Sequence, residues 1–171
     1  YRNLYPSIYD FENLYQAYCA ARKGKRQRVD VERFTFRLED NLFQLETELR
    51  EQTYQPRGYR HFYIYEPKKR KISAAHFRDR VVHHALITII EPIWGRKFIH
   101  DSYACRTDKG THKALDRCTE FVRQHRYVLQ CDIAKFFPTI DHAILLDLLG
   151  RTIADQQVLW LCERIIASGA G

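Results

Sequence analysis

No apolar run in the 171-residue sequence approaches the roughly 20 residues that a membrane-spanning helix needs, so no membrane association is expected. The first residues lack the charged head, apolar run and small-residue cleavage site of a secretion signal. Cysteine is sparse and badly spaced for pairing. Cys19, Cys105, Cys118, Cys131 and Cys162 are odd in number, scattered, and form no CxxC pair, which argues against a disulfide framework or a zinc knuckle. They read as small buried apolar residues in a protein of the reducing cytoplasm. The histidines form no H-x-C or HExxH arrangement. There is no internal repeat and no low-complexity stretch.

What the sequence does have is positive charge. Lysine and arginine outnumber aspartate and glutamate by 28 to 21, a net charge of +7. A polyanion such as nucleic acid is the first partner to consider, the plain alternative being a basic protein without one. The apolar and charged fractions are those of an ordinary folded chain.

Hydrophobic periodicity predicts a helix over 10–23, with Asp10 as its N-cap and Phe11, Leu14, Tyr15 and Tyr18 on one face. The run Lys23 to Arg28 ends it, as either a solvated turn or a nucleic-acid contact. A second helix is expected over about 30–52, on the stripe Phe34, Leu38, Leu42, Leu45 and Leu49. Pro56 and Gly58 then break the pattern. Residues 60–66 alternate as a strand does, 67–69 form a basic turn, and 70–74 return, giving a β-hairpin. A deeply buried helix is expected over 77–94, closed by Pro92 and Gly95, with His83 and His84 as a packed pair. An irregular link covers 96–109. A helix over 111–124 should turn Ala114, Leu115, Cys118, Phe121 and Val122 inward. A short strand is expected over 127–133, then a helix capped by Asp141 and a last one over about 154–167.

The stretch from Tyr127 to His142, YVLQCDIAKFFPTIDH, is the most informative. An apolar strand would deliver the carboxylate of Asp132 to its end, with Phe136 and Phe137 following within a turn. A carboxylate held rigidly can bind Mg²⁺, which neutralises triphosphate charge. Spacing alone favours an aspartate that merely caps a turn.

This stretch resembles motif A of reverse transcriptases, in the branch of group II intron proteins and diversity-generating retroelement enzymes, which carry D-I-x-x-F-F/Y-x-x-I-D-H. Residues 66–86, EPKKRKISAAHFRDRVVHHAL, resemble the first motif of the same family. Residues 102–115, SYACRTDKGTHKAL, resemble the second, in a spelling nearer the diversity-generating enzymes. The three stretches run in the family's order over about 63–149. The hairpin tip departs from the family: Lys71-Ile72-Ser73-Ala74 stands where a Pro or Gly-Ile-Pro usually follows the arginine.

The resemblance implies an RNA-directed DNA polymerase that transfers deoxynucleotides to a primer 3′-hydroxyl, with an RNA template, a DNA primer and dNTPs as partners. It implies that Asp132 binds two Mg²⁺ ions and that the Ile133 carbonyl ligates one. Phe137 would be the steric gate against a 2′-hydroxyl, with Ala134 and Phe136 beside it in the dNTP site. Lys68 and Arg70 would grip the triphosphate, for which a guanidinium fork and a point charge are suited. Arg78 and Arg80 would contact the template, or else pair with Asp79 or Asp101. Arg106 would support the nucleotide pocket. Lys109, with Gly110, would open a helix near nucleic acid. Asp141 would cap a helix rather than bind metal.

The implied fold is α/β: reverse-transcriptase fingers and the start of a right-hand palm, helix-rich with a small antiparallel hairpin. The expected division is a helical extension over 1–55, fingers over 56–125, and a truncated palm over 126–171. The family's aromatic-x-Asp-Asp turn is absent, so the chain is expected to be inactive alone and completed by further residues, an accessory protein or an oligomer. Two other readings stay open: a non-catalytic RNA-binding module, and a polymerase of the same fold used in antiviral defence.

Overall fold

Pro6 in the first turn opens α1 (Tyr5–Tyr9), a short helix that periodicity does not reveal because it spans little more than one turn. α2 (Phe11–Arg22) follows with Asp10 as its N-cap, the carboxylate accepting from the amides of Glu12 and Asn13. The helix expected over 30–52 is instead two, α3 (Val29–Phe36) and α4 (Leu38–Arg50). The break is at Arg37, whose backbone leaves the helical region at φ −123°, ψ 51°. The side-chain amide of Asn41 donates to the freed carbonyl of Phe34 at 2.9 Å, which makes the interruption cheap. β1 (Arg60–Ile64) and β2 (Arg70–Ala74) pair antiparallel, with Phe62 opposite Ile72 and Ile64 opposite Arg70. α5 (Phe77–Gly95) covers the expected range, with Pro92 inside its last turn. α6 (Thr111–Gln124) follows, then a 3₁₀ turn (Phe137–Thr139), α7 (His142–Gly150) and α8 (Gln156–Ser168).

The computed structural model describes residues 1–169. The chain is helix-rich with one two-stranded antiparallel sheet. It forms two units: Tyr1–Ile89 with the chain from Thr139 onward, and Ile90–Pro138. No helix among the described residues is long and apolar enough to cross a membrane.

In the first unit α4 packs against α1, α2 and α3, and α7 packs on α8. Leu42, Leu45 and Leu49 of α4 are fully buried, each contributing about 1.5–3 kcal/mol of apolar burial. Tyr18, Phe34 and Phe77 bring α2, α3 and α5 together, their ring centroids 5.2 to 6.1 Å apart. The Tyr5 hydroxyl donates to the Leu49 carbonyl at 2.6 Å.

The second unit differs from expectation in three respects. Residues 127–133 form no strand, and Tyr127 is 83% exposed. A strand exists by pairing, and among the described residues the only sheet is β1–β2. The residues of α6 expected to face inward are not buried, Leu115 being 59% exposed. Of the cysteines only Cys162, in the first unit, is buried, where burial raises its thiol pKa to about 11.

Candidate functional site

The hairpin places the two candidate triphosphate ligands by simple strand geometry. Arg70 opens β2 directly opposite Ile64, and Lys68 lies in the turn before it. Both side chains are exposed. Lys69, between them, leans over two tyrosines, its Nζ 4.9 Å from the Tyr63 ring centroid and 5.8 Å from that of Tyr65.

The same unit contains a cleft of ≈ 810 Å³ that sequence reasoning missed. Arg28, Arg33, Arg57, Arg60 and Arg78 line it, with Asp30 as their acidic counterweight. Arg33, Arg57 and Arg60 are exposed. These arginines come from α3, the segment before β1, and β1 itself, so only the fold gathers them. A second cleft of ≈ 760 Å³ is lined by the end of α2 and the 23–28 segment, among them Lys23, Lys25 and Arg26. The basic run read as a turn or a contact therefore surrounds a concave surface. Concave basic surfaces focus positive potential.

Arg78 and Arg80, at the start of α5, are engaged in ion pairs. Arg78 pairs with Glu48 of α4 and, at 3.6 Å, with Asp79. Arg80 pairs with Asp30 at 3.1 Å. The pairing with Asp79 agrees with one of the two sequence readings. Glu48 and Asp30 are partners only the tertiary fold supplies. Asp79 is buried, accepting from the Tyr54 hydroxyl at 2.8 Å and the Arg57 amide at 3.0 Å. Burial, then the Asp79 carboxylate, push the Tyr54 phenol far above its ordinary pKa.

In the second unit Arg106 is a fastener of the irregular link. Its guanidinium donates to the carbonyls of Gly95, Ile99 and Ser102 at 3.0–3.2 Å. Lys109 Nζ donates to the His100 carbonyl at 2.7 Å and lies 4.9 Å from the Tyr103 ring centroid. Both hold the loop in which they sit, the bidentate arginine by geometry a lysine cannot copy. Gly110 N-caps α6 at φ 101°, ψ −180°, a conformation only glycine adopts without strain.

Asp132 and Ile133 belong to the irregular segment before the 3₁₀ turn. Ala134 begins a turn that Lys135 reverses at φ 52°. Phe136 and Phe137 stand edge to face, ring centroids 5.2 Å apart, with Phe137 81% exposed. Asp141 caps α7, accepting from the amides of Ala143 and Ile144. Among the described residues no group of three or more His, Cys, Asp and Glu side chains could hold a metal ion. The residues described do not by themselves fit a two-ion magnesium site, and Asp132 could bring only one carboxylate to it.

The candidate residues thus divide between the units. Lys68, Arg70, Arg78 and Arg80 lie in the first, and Arg106, Lys109, Asp132, Ile133, Ala134, Phe136 and Phe137 in the second.

No family model matches the chain. Among curated proteins, protein YkfC of Escherichia coli is 32% identical over 142 residues, 78% of this chain and 37% of that protein. The group II intron-encoded protein LtrA of Lactococcus lactis is 27% identical over 171 residues, 97% of this chain and 28% of that protein. Nuclear intron maturase 1 of Arabidopsis thaliana, a mitochondrial protein, is 25% identical over 87 residues, 51% of this chain and 12% of that protein. The chain spans little more than a third of the first of these relatives and less of the others. It is similar in sequence to intron-encoded proteins and intron maturases.

Proposed function

We propose that the chain is the nucleotide- and template-gripping portion of an RNA-directed DNA polymerase related to the group II intron proteins. The observation that carries the reading is the first unit's basic surface: a hairpin with Arg70 and Lys68 at its turn, and a cleft onto which the exposed Arg33, Arg57 and Arg60 converge. Arginine forks and lysine point charges are the side chains suited to phosphate oxygens. Kinship with intron-encoded proteins makes RNA the polyanion of choice.

In this reading Arg70 and Lys68 hold the triphosphate, so that the α-phosphate lies in line with a primer 3′-hydroxyl. Positioning supplies much of the rate in such a transfer. Taken by itself, the second unit offers Phe137, exposed at the 3₁₀ turn, as the ring that would exclude a 2′-hydroxyl, with Ala134 and Phe136 beside it in the chain. Asp132 and the Ile133 carbonyl would hold magnesium only if further carboxylates joined them, and the ion would then neutralise triphosphate charge. Arg106 and Lys109 act indirectly by holding the 96–109 loop.

The test is steady-state primer extension by the natural full-length protein. Arg70→Ala should raise the dNTP KM about tenfold or more, the loss of a charged hydrogen-bonded contact. An unchanged KM contradicts the triphosphate role. A second reading, a non-catalytic RNA-binding module, is favoured by the same basic cleft, which could hold RNA without any carboxylate at Asp132. It predicts salt-sensitive RNA binding and no extension.

A further inference from the structure

The hairpin has two faces, and the function proposed above uses one of them. In an antiparallel pair, directly opposed residues share a face and neighbours along the strand alternate. Ile64 and Arg70 are opposed, as are Phe62 and Ile72, so Arg70 belongs to the face that carries Phe62 and Ile64. Tyr63 is opposed to Lys71 and His61 to Ser73, so these four occupy the other face. His61 Nδ1 and Ser73 Oγ are 2.9 Å apart, as that placement requires. Tyr65 joins the same side, because Lys69 Nζ lies within 5.8 Å of the ring centroids of both Tyr63 and Tyr65.

The second face is therefore two tyrosine rings bridged by one lysine, with Lys71 opposite the first ring and His61 beyond. Tyr63 is 51% exposed and Tyr65 67% exposed. Both rings stand where a partner can reach them. Lysine over an aromatic face is a cation–π pair that orients both groups. Flat rings interleaved with cations are what unpaired nucleotides require: the rings stack on bases of any sequence, and the cations meet the phosphates between them. A duplex offers no free base faces and would use the cations alone.

We propose that this face, Tyr63, Tyr65, Lys69 and Lys71, is a binding platform for single-stranded RNA, separate from the triphosphate-facing side of the hairpin. The inference rests on the reading of the protein as one that binds RNA. It adds the strand state of the RNA and the residues that sense it. Charge complementarity commits the occupant to a polyanion, and the exposed rings commit it to unpaired bases.

The experiment is fluorescence anisotropy of the natural full-length protein with a labelled unstructured RNA of on the order of 10 nucleotides, beside a duplex of the same length. The double variant Tyr63→Ala/Tyr65→Ala is expected to lose about tenfold or more in affinity for the single strand and to leave duplex affinity unchanged. Tyr63→Phe/Tyr65→Phe, which keeps the rings, is expected to bind as wild type does. Lys71→Gln is expected to lower the slope of log affinity against log salt by about 0.7 on the single strand. Wild-type single-strand affinity in the alanine variant, with RNA binding otherwise intact, overturns the platform alone, as does an equal loss on single strand and duplex. Absence of any RNA binding by the wild-type protein overturns the parent reading with it.

Discussion

The hydroxyl of Tyr54 donates to the buried carboxylate of Asp79 across 2.8 Å, joining the segment that leads into the hairpin to the first turn of α5. The other carboxylate oxygen takes the Arg57 amide at 3.0 Å. One acidic group thus fixes the backbone at Arg57, which lines the arginine cleft, and stands beside Arg78, which lines it too. Tyr54→Phe removes one donor from a buried carboxylate and should cost about 1–3 kcal/mol. Asp79→Ala leaves Tyr54 and Arg78 short of a partner and should cost more, about 3–5 kcal/mol. Urea unfolding of both variants measures this. Equal stability of Asp79→Ala and wild type would show that the carboxylate does not organise the cleft.

Asp155 caps two helices at once. One oxygen accepts from the amides of Leu4 and Tyr5 at 2.7 and 3.1 Å, the other from Gln157 and Val158 at 3.1 and 3.3 Å. Asp141 caps only α7. A single cap is worth about 1 kcal/mol, so Asp155→Ala should cost about twice what Asp141→Ala does. Thermal unfolding of the two variants gives the comparison. Equal losses would mean that the contact to α1 contributes nothing.

His83 supplies a pH dependence. Burial depresses its pKa, the Asp79 carboxylate opposes the shift, and His84 and Arg80 reinforce it. Its Nε2 is buried without a hydrogen-bond partner among the described residues. A histidine whose folded pKa lies below its unfolded value takes up protons more readily when unfolded. Its contribution to stability is therefore complete above the unfolded value of about 6.5 and is lost progressively as pH falls from there through the lower folded value. His84, exposed rather than packed with His83, shifts in the same direction, chiefly through partial desolvation. Unfolding free energies between about pH 8 and about pH 5.5 should fall in wild type and fall less in His83→Phe. A decline of the same size in both would remove His83 from the account.

Much of the local structure was legible because local chemistry decides it. Asp10 and Asp141 announce helix starts, and both cap in the structure. The hairpin and α6 lie where alternation and periodicity put them. The break at Arg37 was not legible, because the apolar stripe runs on through it and the compensating Asn41 contact is tertiary. The strand expected over 127–133 has the composition of a strand but no neighbour to pair with among the described residues, and pairing is what composition cannot supply. The candidate site divides the same way. Asp132, Arg70 and Phe137 could be named from motif spelling. The cleft of Arg33, Arg57 and Arg60 could not, because those arginines converge only in three dimensions. Motif position makes Arg78 and Arg80 template contacts or members of ion pairs, and in the structure they are paired, Arg78 with Glu48 and Asp79 and Arg80 with Asp30.

The most direct test is primer extension on an RNA template by the natural full-length protein, with Mg²⁺ and either dNTPs or rNTPs, beside Asp132→Ala and Phe137→Ala. Extension from dNTPs should disappear in Asp132→Ala while RNA binding persists, and Phe137→Ala should admit rNTPs. Extension that survives Asp132→Ala, or none by well-folded wild-type protein on any primed template, would contradict the polymerase assignment and leave RNA binding as the function.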